Sequence, residues 1–305
     1  MGKSKRNSPK PDSNRAQRLA ERRAAQEQAS QVVVRPFAGL AAECDLVALR
    51  EFVPSATATL KLAPQISAQR PVTLATVLPG AVAALVRAAA EPMGFVGAQV
   101  QFQSDNPAAD LAAAIAWTQT GEPGQSLNSA AEADTAVLAE VLDPAASLDL
   151  TVHQDFNWWV PEGVQPDPQV AATIEQANQA IMPSDRLQLD ADAIGAAWWV
   201  DAGEKAHLRW VRPEDEDALM LALARLHASG GLHLGEGSRF AGSFRTHGLL
   251  VPVFDLDRER HATEWVKPAT EFGARLSEAL AVDAPLTPDE RRSRDGLRSR
   301  QITLR

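Results

Sequence analysis

The chain has 305 residues, 45% of them hydrophobic, with 30 Lys and Arg against 39 Asp and Glu, one cysteine and no tyrosine. That supplies one large core or two smaller ones. The single Cys44 excludes an internal disulfide and any multi-cysteine zinc site, and it fits a reducing compartment.

No apolar run approaches the roughly 18 residues that a membrane span requires, and the basic N-terminus lacks the apolar segment of a secretory signal. The expectation is a cytoplasmic protein without a membrane partner. Charge is unevenly placed: residues 1–30 carry eight Lys or Arg against three acids, and residues 291–305 carry six Arg against one acid. The middle of the chain is therefore strongly acidic. An acidic body disfavours broad phosphate contact, whereas two basic ends can reach RNA, a ribonucleoprotein or an acidic protein surface.

In chain order, residues 1–12 hold almost no apolar groups, so burial cannot offset the cost of ordering them. NRAQRLAERRAAQEQ, capped by Ser13 or Asn14, has good helix formers but only Leu19 as a large apolar residue, which predicts a solvated helix. Residues 1–30 are expected to be a disordered basic arm. Leu46, Leu49 and Val53 share one face of a short helix from Asp45 to Phe52, which Pro54 ends. Thr57–Leu62 and Val72–Leu78 read as strands. AVAALVRAAA, residues 81–90, reads as a helix behind Pro79 and Gly80. Phe95–Phe102 alternates as a third strand, and PAADLAAAIAWTQT is a helix starting at Pro107.

A helix from Asp134 to Leu142, a strand at Leu148–Val152 and a helix at Pro168–Ile181 follow. Trp158/Trp159 and Trp198/Trp199 are adjacent pairs that cannot share one face of a strand; core packing is the simpler reading and a ligand-stacking cage the other. Ala196–Asp201 and His207–Val211 form a hairpin. A helix begins near Pro213, with Glu214 to Asp217 at the positive end of its dipole, and stops at Ser229 to Gly231. GLHLGEGSRFAGSFRTHG is a glycine-rich turn. Leu249–Leu256 is a strand whose Pro252 requires an edge or a bulge. Thr263–Ala281 is mainly helical. TPDERRSRDGLRSRQ, with Thr287 as cap, is a final short basic helix or tail.

The fold class that emerges is α+β, with mixed or antiparallel sheets and packed helices. VTLATVLPGAVAALVRAAA and HLRWVRPEDEDALMLALARLHA both read as strand, proline, helix, which suggests two related α+β halves. The boundaries are 1–30 for the arm, 31–150 and 151–283 for the halves, and 284–305 for a basic C-terminal tail.

At PFAGL, DLVALREFVPSATATL, HLRWVRPEDEDALMLALARLHASG and GSRFAGSFRTHGLLVPVFDLD the chain resembles an uncharacterised protein family of high-GC Gram-positive bacteria, whose domain is of unknown function. The likeness covers nearly all of the chain. It implies a cytoplasmic bacterial protein and brings no assigned active-site residues.

No HExxH, CxxC, GxSxG or GxxxxGK[ST] string occurs, and nothing calls for a cofactor. Three constellations remain. Arg239, Ser243, Arg245 and His247, threaded through glycines, can bind a phosphate or carboxylate, or Arg239 and Arg245 can pair with the body's own acids. Asp255 and Asp257, two apart at a strand end, can hold a divalent cation with His247 in a metal-dependent hydrolase, or form a polar strand end. Lys3, Lys5, Arg6, Arg15, Arg18, Arg22, Arg23, Arg291 and Arg292 are the residues for nucleic-acid contact. The reading favoured is a non-catalytic binding or accessory protein whose basic ends meet RNA, a ribonucleoprotein or an acidic partner. A metal-dependent hydrolase and a protein–protein scaffold are the alternatives.

Overall fold

Helix α1, Glu43–Glu51, buries six of its nine residues, including Leu46, Val47, Ala48 and Leu49. A helix apolar on more than one side needs a wall on each, and two sheets supply them. The computed structural model describes residues 34–131, 136–190 and 193–303. The arm at 1–30 with its seven contact residues and the start of the helix expected from Asp134 lie outside them.

The first sheet contains β1 (Ala56–Thr59), β2 (Val72–Val77), β3 (Ala84–Arg87), β4 (Met93–Gln99), β5 (Ser126–Leu127) and β6 (Leu150–Val152). Their order is β5-β3-β4-β2-β1-β6, with β2 and β4 parallel and the other neighbours antiparallel. Helix α2, Pro107–Thr120, lies on this sheet, started by Pro107 and by Asn106, whose side chain accepts from the Ala109 N–H. It approaches so closely that a Cβ on Gly94 of β4 would stand 2.7 Å from Thr118 Cβ. The short α3, Leu138–Val141, and the surface helix α4, Pro168–Gln179, complete this part.

The second sheet contains β7 (Ser184–Arg186), β8 (Ala196–Asp201), β9 (Ala206–Val211), β10 (Ser238–Thr246), β11 (Leu249–Leu256) and β12 (Gln301–Thr303). Its order is β12-β10-β11-β9-β8-β7, with β10 and β12 parallel. Helices α5 (Glu216–Ala228), α6 (Val266–Leu280) and α7 (Pro288–Arg298) cover its outer face. Asp215 caps α5, and Thr287 with Glu290 forms a capping box on α7. The fold is α+β, with two six-stranded mixed sheets and seven α-helices among the described residues.

Period-two alternation sends successive side chains of β8 into different cores. Ala196 and Trp198 join Leu74, Val96 and α1 between the sheets, while Ala197 and Trp199 join Leu208, Phe254 and Phe272 under the outer helices. Trp198 is fully buried and Trp199 nearly so, so this pair is core packing. Residues 35–305 form one compact unit. No helix of the described residues is long and apolar enough to cross a membrane.

Two local expectations fail. AVAALVRAAA is not a helix: Ala84–Arg87 is a strand, pairing Ala84 with Val96 and Leu85 with Phe95. Alanine's helix propensity is a few tenths of a kcal/mol per residue, less than a strand gains by filling the gap between β4 and β5. The strand, proline, helix echo therefore ends here as strand, turn, strand. The glycine-rich turn is also shorter than expected, because 238–246 is the longest strand of the structure.

Pro252 is neither at an edge nor in a bulge of its own strand. It lies in central β11, and the ladder to β9 is interrupted between Val253↔Arg209 and the isolated bridge Arg212↔Leu250. The bulge lies opposite, at Ala241 of β10, between the pairs Phe240↔Phe254 and Gly242↔Val253.

The C-terminal segment is built into the body. Leu297 of α7 is buried, and β12 extends the sheet at Ser243↔Gln301.

Polar contacts hold α1 between the sheets. Arg35 binds Glu43 and donates to the Pro213 carbonyl at 2.8 Å, Arg186 of β7 binds Asp45 at 2.8 Å, and His247 binds Glu51 at 2.7 Å. Burial pushes the Glu51 carboxyl up, but the His247 contact and the Thr246 hydrogen bond outweigh it and leave the pKa depressed. Its stabilisation is thus present above the ordinary carboxylate range and is lost as pH falls through the depressed folded value. Glu51→Gln should cost about 1–3 kcal/mol at neutral pH, and urea denaturation of variant and wild type should converge in acid.

Candidate functional site

The bulge at Ala241 separates the residues expected to bind an anion. In an unbroken strand Arg239, Ser243 and Arg245 would share a face. Arg239 instead stands opposite Asp255 and Ser243 opposite Pro252, partners of opposite parity, so the extra residue reverses the phase. Arg245 turns to the start of α5 and pairs with Glu216, which also accepts from Gln301 at 2.7 Å. His247 sits at the hairpin turn with φ 45° and reaches Glu51. The four do not converge.

Asp255 gathers cations. Its carboxylate meets Lys205 Nζ and Arg239 Nη2, each at 2.8 Å, while His207 Nδ1 lies 3.3 Å away without the alignment of a hydrogen bond. Burial raises its pKa, but hydrogen bonds from Lys205 and Arg239 together with nearby positive charge leave it below the usual range. Asp257 accepts from the Glu259 N–H at 3.0 Å and caps the following turn. His247 lies at the other end of β11, on the order of 20 Å away at strand rise. Among the described residues no three His, Cys, Asp or Glu are placed to hold a metal ion. Asp255→Asn, which leaves two cations facing a neutral amide, should lower stability by about 1–3 kcal/mol, read by thermal unfolding.

What the bulge does create is a basic cleft of about 480 Å³ between the open end of β10 and the C-terminal helix. It is lined by His227, Leu232, Arg239, Phe240, Ala241 and Arg300, with no acidic residue among the described ones. Each polar group is positioned by a separate element. His227 ends α5, and its Nδ1 is 2.9 Å from Ser293 Oγ on α7. Arg300 leads from α7 into β12, whose main chain passes so near the bulge that a Cβ on Gly242 would stand 2.9 Å from the Arg300 carbonyl oxygen. Arg239 is 74% exposed beyond its contact with Asp255 and so can meet a second anion.

The adjoining α7 adds Arg291, which donates to the Leu286 carbonyl, and Arg292, paired with Asp289 in a solvated contact. Such exposed pairs hold their charges weakly, within about 1 kcal/mol. In sequence His227 and Arg300 stand 73 residues apart, at the end of α5 and after α7. Only the parallel pairing of β10 with β12, invisible in composition, brings them together.

Cys44 is buried among Glu43, Asp45 and the core, which pushes its thiol up to about 12. A thiol held protonated is inert, and a maleimide or disulfide reagent should leave it unmodified until the protein is denatured. Trp158 and Trp159 are half-buried and meet edge to face with centroids 6.3 Å apart.

Residues 36–305 match the model of a family described as "Family of unknown function (DUF5926)". No curated protein and no solved structure matches.

Proposed function

The chain belongs to the DUF5926 family of unknown function, and we propose that it is a non-catalytic binding protein that holds phosphate groups of an RNA or ribonucleoprotein in the cleft of His227, Arg239 and Arg300. The observation that carries this reading is the acid-free lining of that cleft on a chain of net charge −9. A positive concavity on a negative body draws an anion to one place and repels it elsewhere. Arginine suits phosphate through its planar fork of donors. Carboxylates that might have served catalysis are occupied instead: Asp255 by Lys205 and Arg239, Glu51 by His247, and Glu216 by Arg245.

With the two arginines engaged, binding is moderate and dependent on salt. Each phosphate neutralised contributes about −0.7 to the slope of log affinity against log salt for a single strand. Fluorescence anisotropy with a labelled oligouridylate across a potassium chloride series tests this. Arg300→Ala leaves the Asp255 contacts intact, and it should weaken binding about tenfold and make the slope shallower by roughly one contact. Unaltered binding in that variant, or none by the wild type, rejects the proposal. A polyglutamate titration run alongside separates phosphate recognition from attraction to any acidic chain.

A further inference from the structure

The outer face of the first sheet carries a second concavity, unlike the cleft in chemistry. Strand register sets Phe95, Thr73 and Thr59 side by side on β4, β2 and β1, and places Thr57 next to Thr151 of β6. The alternate residues Leu74 and Val96 face the inter-sheet core, so these hydroxyls point away from it. The chain after β6 folds back over them as a wall. His153 Nε2 is 2.8 Å from Thr57 Oγ1, the ring stacks on Trp158 at 5.4 Å and 26°, and Trp158 Nε1 donates to Ser55 Oγ at 2.9 Å. Floor and wall enclose a groove of about 350 Å³, with Arg87 towards one side of the sheet and Asp149 towards the other.

Arg87 is the feature that asks for a ligand. Its guanidinium lies 4.3 Å over the Phe95 ring, and Nη2 donates to the Trp158 and Trp159 carbonyls at 3.2 and 3.1 Å. Burial pushes its pKa down, and among the described residues no neighbouring charge offsets that. A partly buried cation without a counter-charge is destabilised, and a bound anion would remove that cost.

The neighbours define the rest of the ligand. The guanidinium lies over β4, and Thr73 and Thr59 follow at strand spacings of about 4.8 Å. This row offers one anion contact and then hydroxyls that both donate and accept. Met93, Phe95 and the indole of Trp158 supply apolar surface for C–H groups. One face of Trp158 is already covered by His153, which disfavours a planar base stacked between rings.

We propose that this groove binds a polyhydroxylated organic anion, a sugar phosphate or a sugar acid, with its anionic group at Arg87 and its hydroxyls over Thr73 and Thr59. The site is separate from the basic cleft, so the two readings fail independently.

Isothermal titration of the full chain with glucose 6-phosphate, gluconate, glucose and inorganic phosphate tests it, the first two distinguishing phosphate from carboxylate. At least one anionic sugar should bind, with glucose and inorganic phosphate weaker by about tenfold or more. Thr59 is exposed, so Thr59→Val should fold normally and weaken binding about fivefold. Arg87→Met should weaken it about tenfold, while Arg300→Ala should not change it. If Arg87→Met fails to fold, Thr59→Val carries the test alone. Absence of binding by both anionic sugars, inorganic phosphate binding as well as the sugar, or wild-type affinity in Thr59→Val would each overturn the assignment.

Discussion

The helix enclosed between two sheets is the constraint on which the architecture rests. Burying Leu46, Val47, Ala48 and Leu49 removes apolar surface from water, but the same helix brings Glu43, Asp45 and Glu51 into low-dielectric surroundings. Each carboxylate is met by a group from a different place: Arg35 ahead of the helix, Arg186 on β7 and His247 at the β10–β11 turn. Arg35 also reaches the Pro213 carbonyl just before α5. The apolar side chains supply attraction without direction, and the ion pairs select one rotation and depth of the helix between the layers.

The same demand for pairing explains why the hydrolase constellation does not assemble. In the second sheet the long basic side chains beside acidic ones, Lys205, Arg239 and Arg245, settle against Asp255 and Glu216. Carboxylates so engaged contribute to the stability of the fold. Among the described residues, the groups with unmet capacity lie where the packing of elements, rather than local sequence, assembles a concavity: Arg300 beside the β10 bulge, and Arg87 beneath the turn carrying Trp158 and Trp159.

Much of the fold was legible wherever local chemistry decides the outcome. Asn106 with Pro107, and Thr287 with Pro288 and Glu290, announce the starts of α2 and α7 because a side-chain acceptor and a fixed φ satisfy the first turn. The strands at 196–201 and 249–256 follow from short apolar runs bounded by turn residues. Residues 84–87 were illegible because alanine's preference is weaker than the vacancy between β4 and β5, and 238–246 because its glycines mask a strand with Phe240 and Phe244 in two different cores. The bulge at Ala241 was illegible for a further reason. One inserted residue reverses every side chain beyond it, and its location depends on partners across the hairpin. The site residues inherited that uncertainty: the bulge puts Arg239 on one face and Ser243 and Arg245 on the other, and His247 lies in the turn beyond.

From Glu91 to Asp185 the chain carries fourteen Asp or Glu and no Lys or Arg, and within that span lie β4, β5, β6, α2, α3 and α4 around the first sheet. The basic helix α7 and its cleft belong to the second. Acidic charge is therefore concentrated on the side of the first sheet, where a long polyanion would be repelled more strongly than near α7. If the proposed RNA does bind at the cleft, it would leave that acidic side turned towards the solvent.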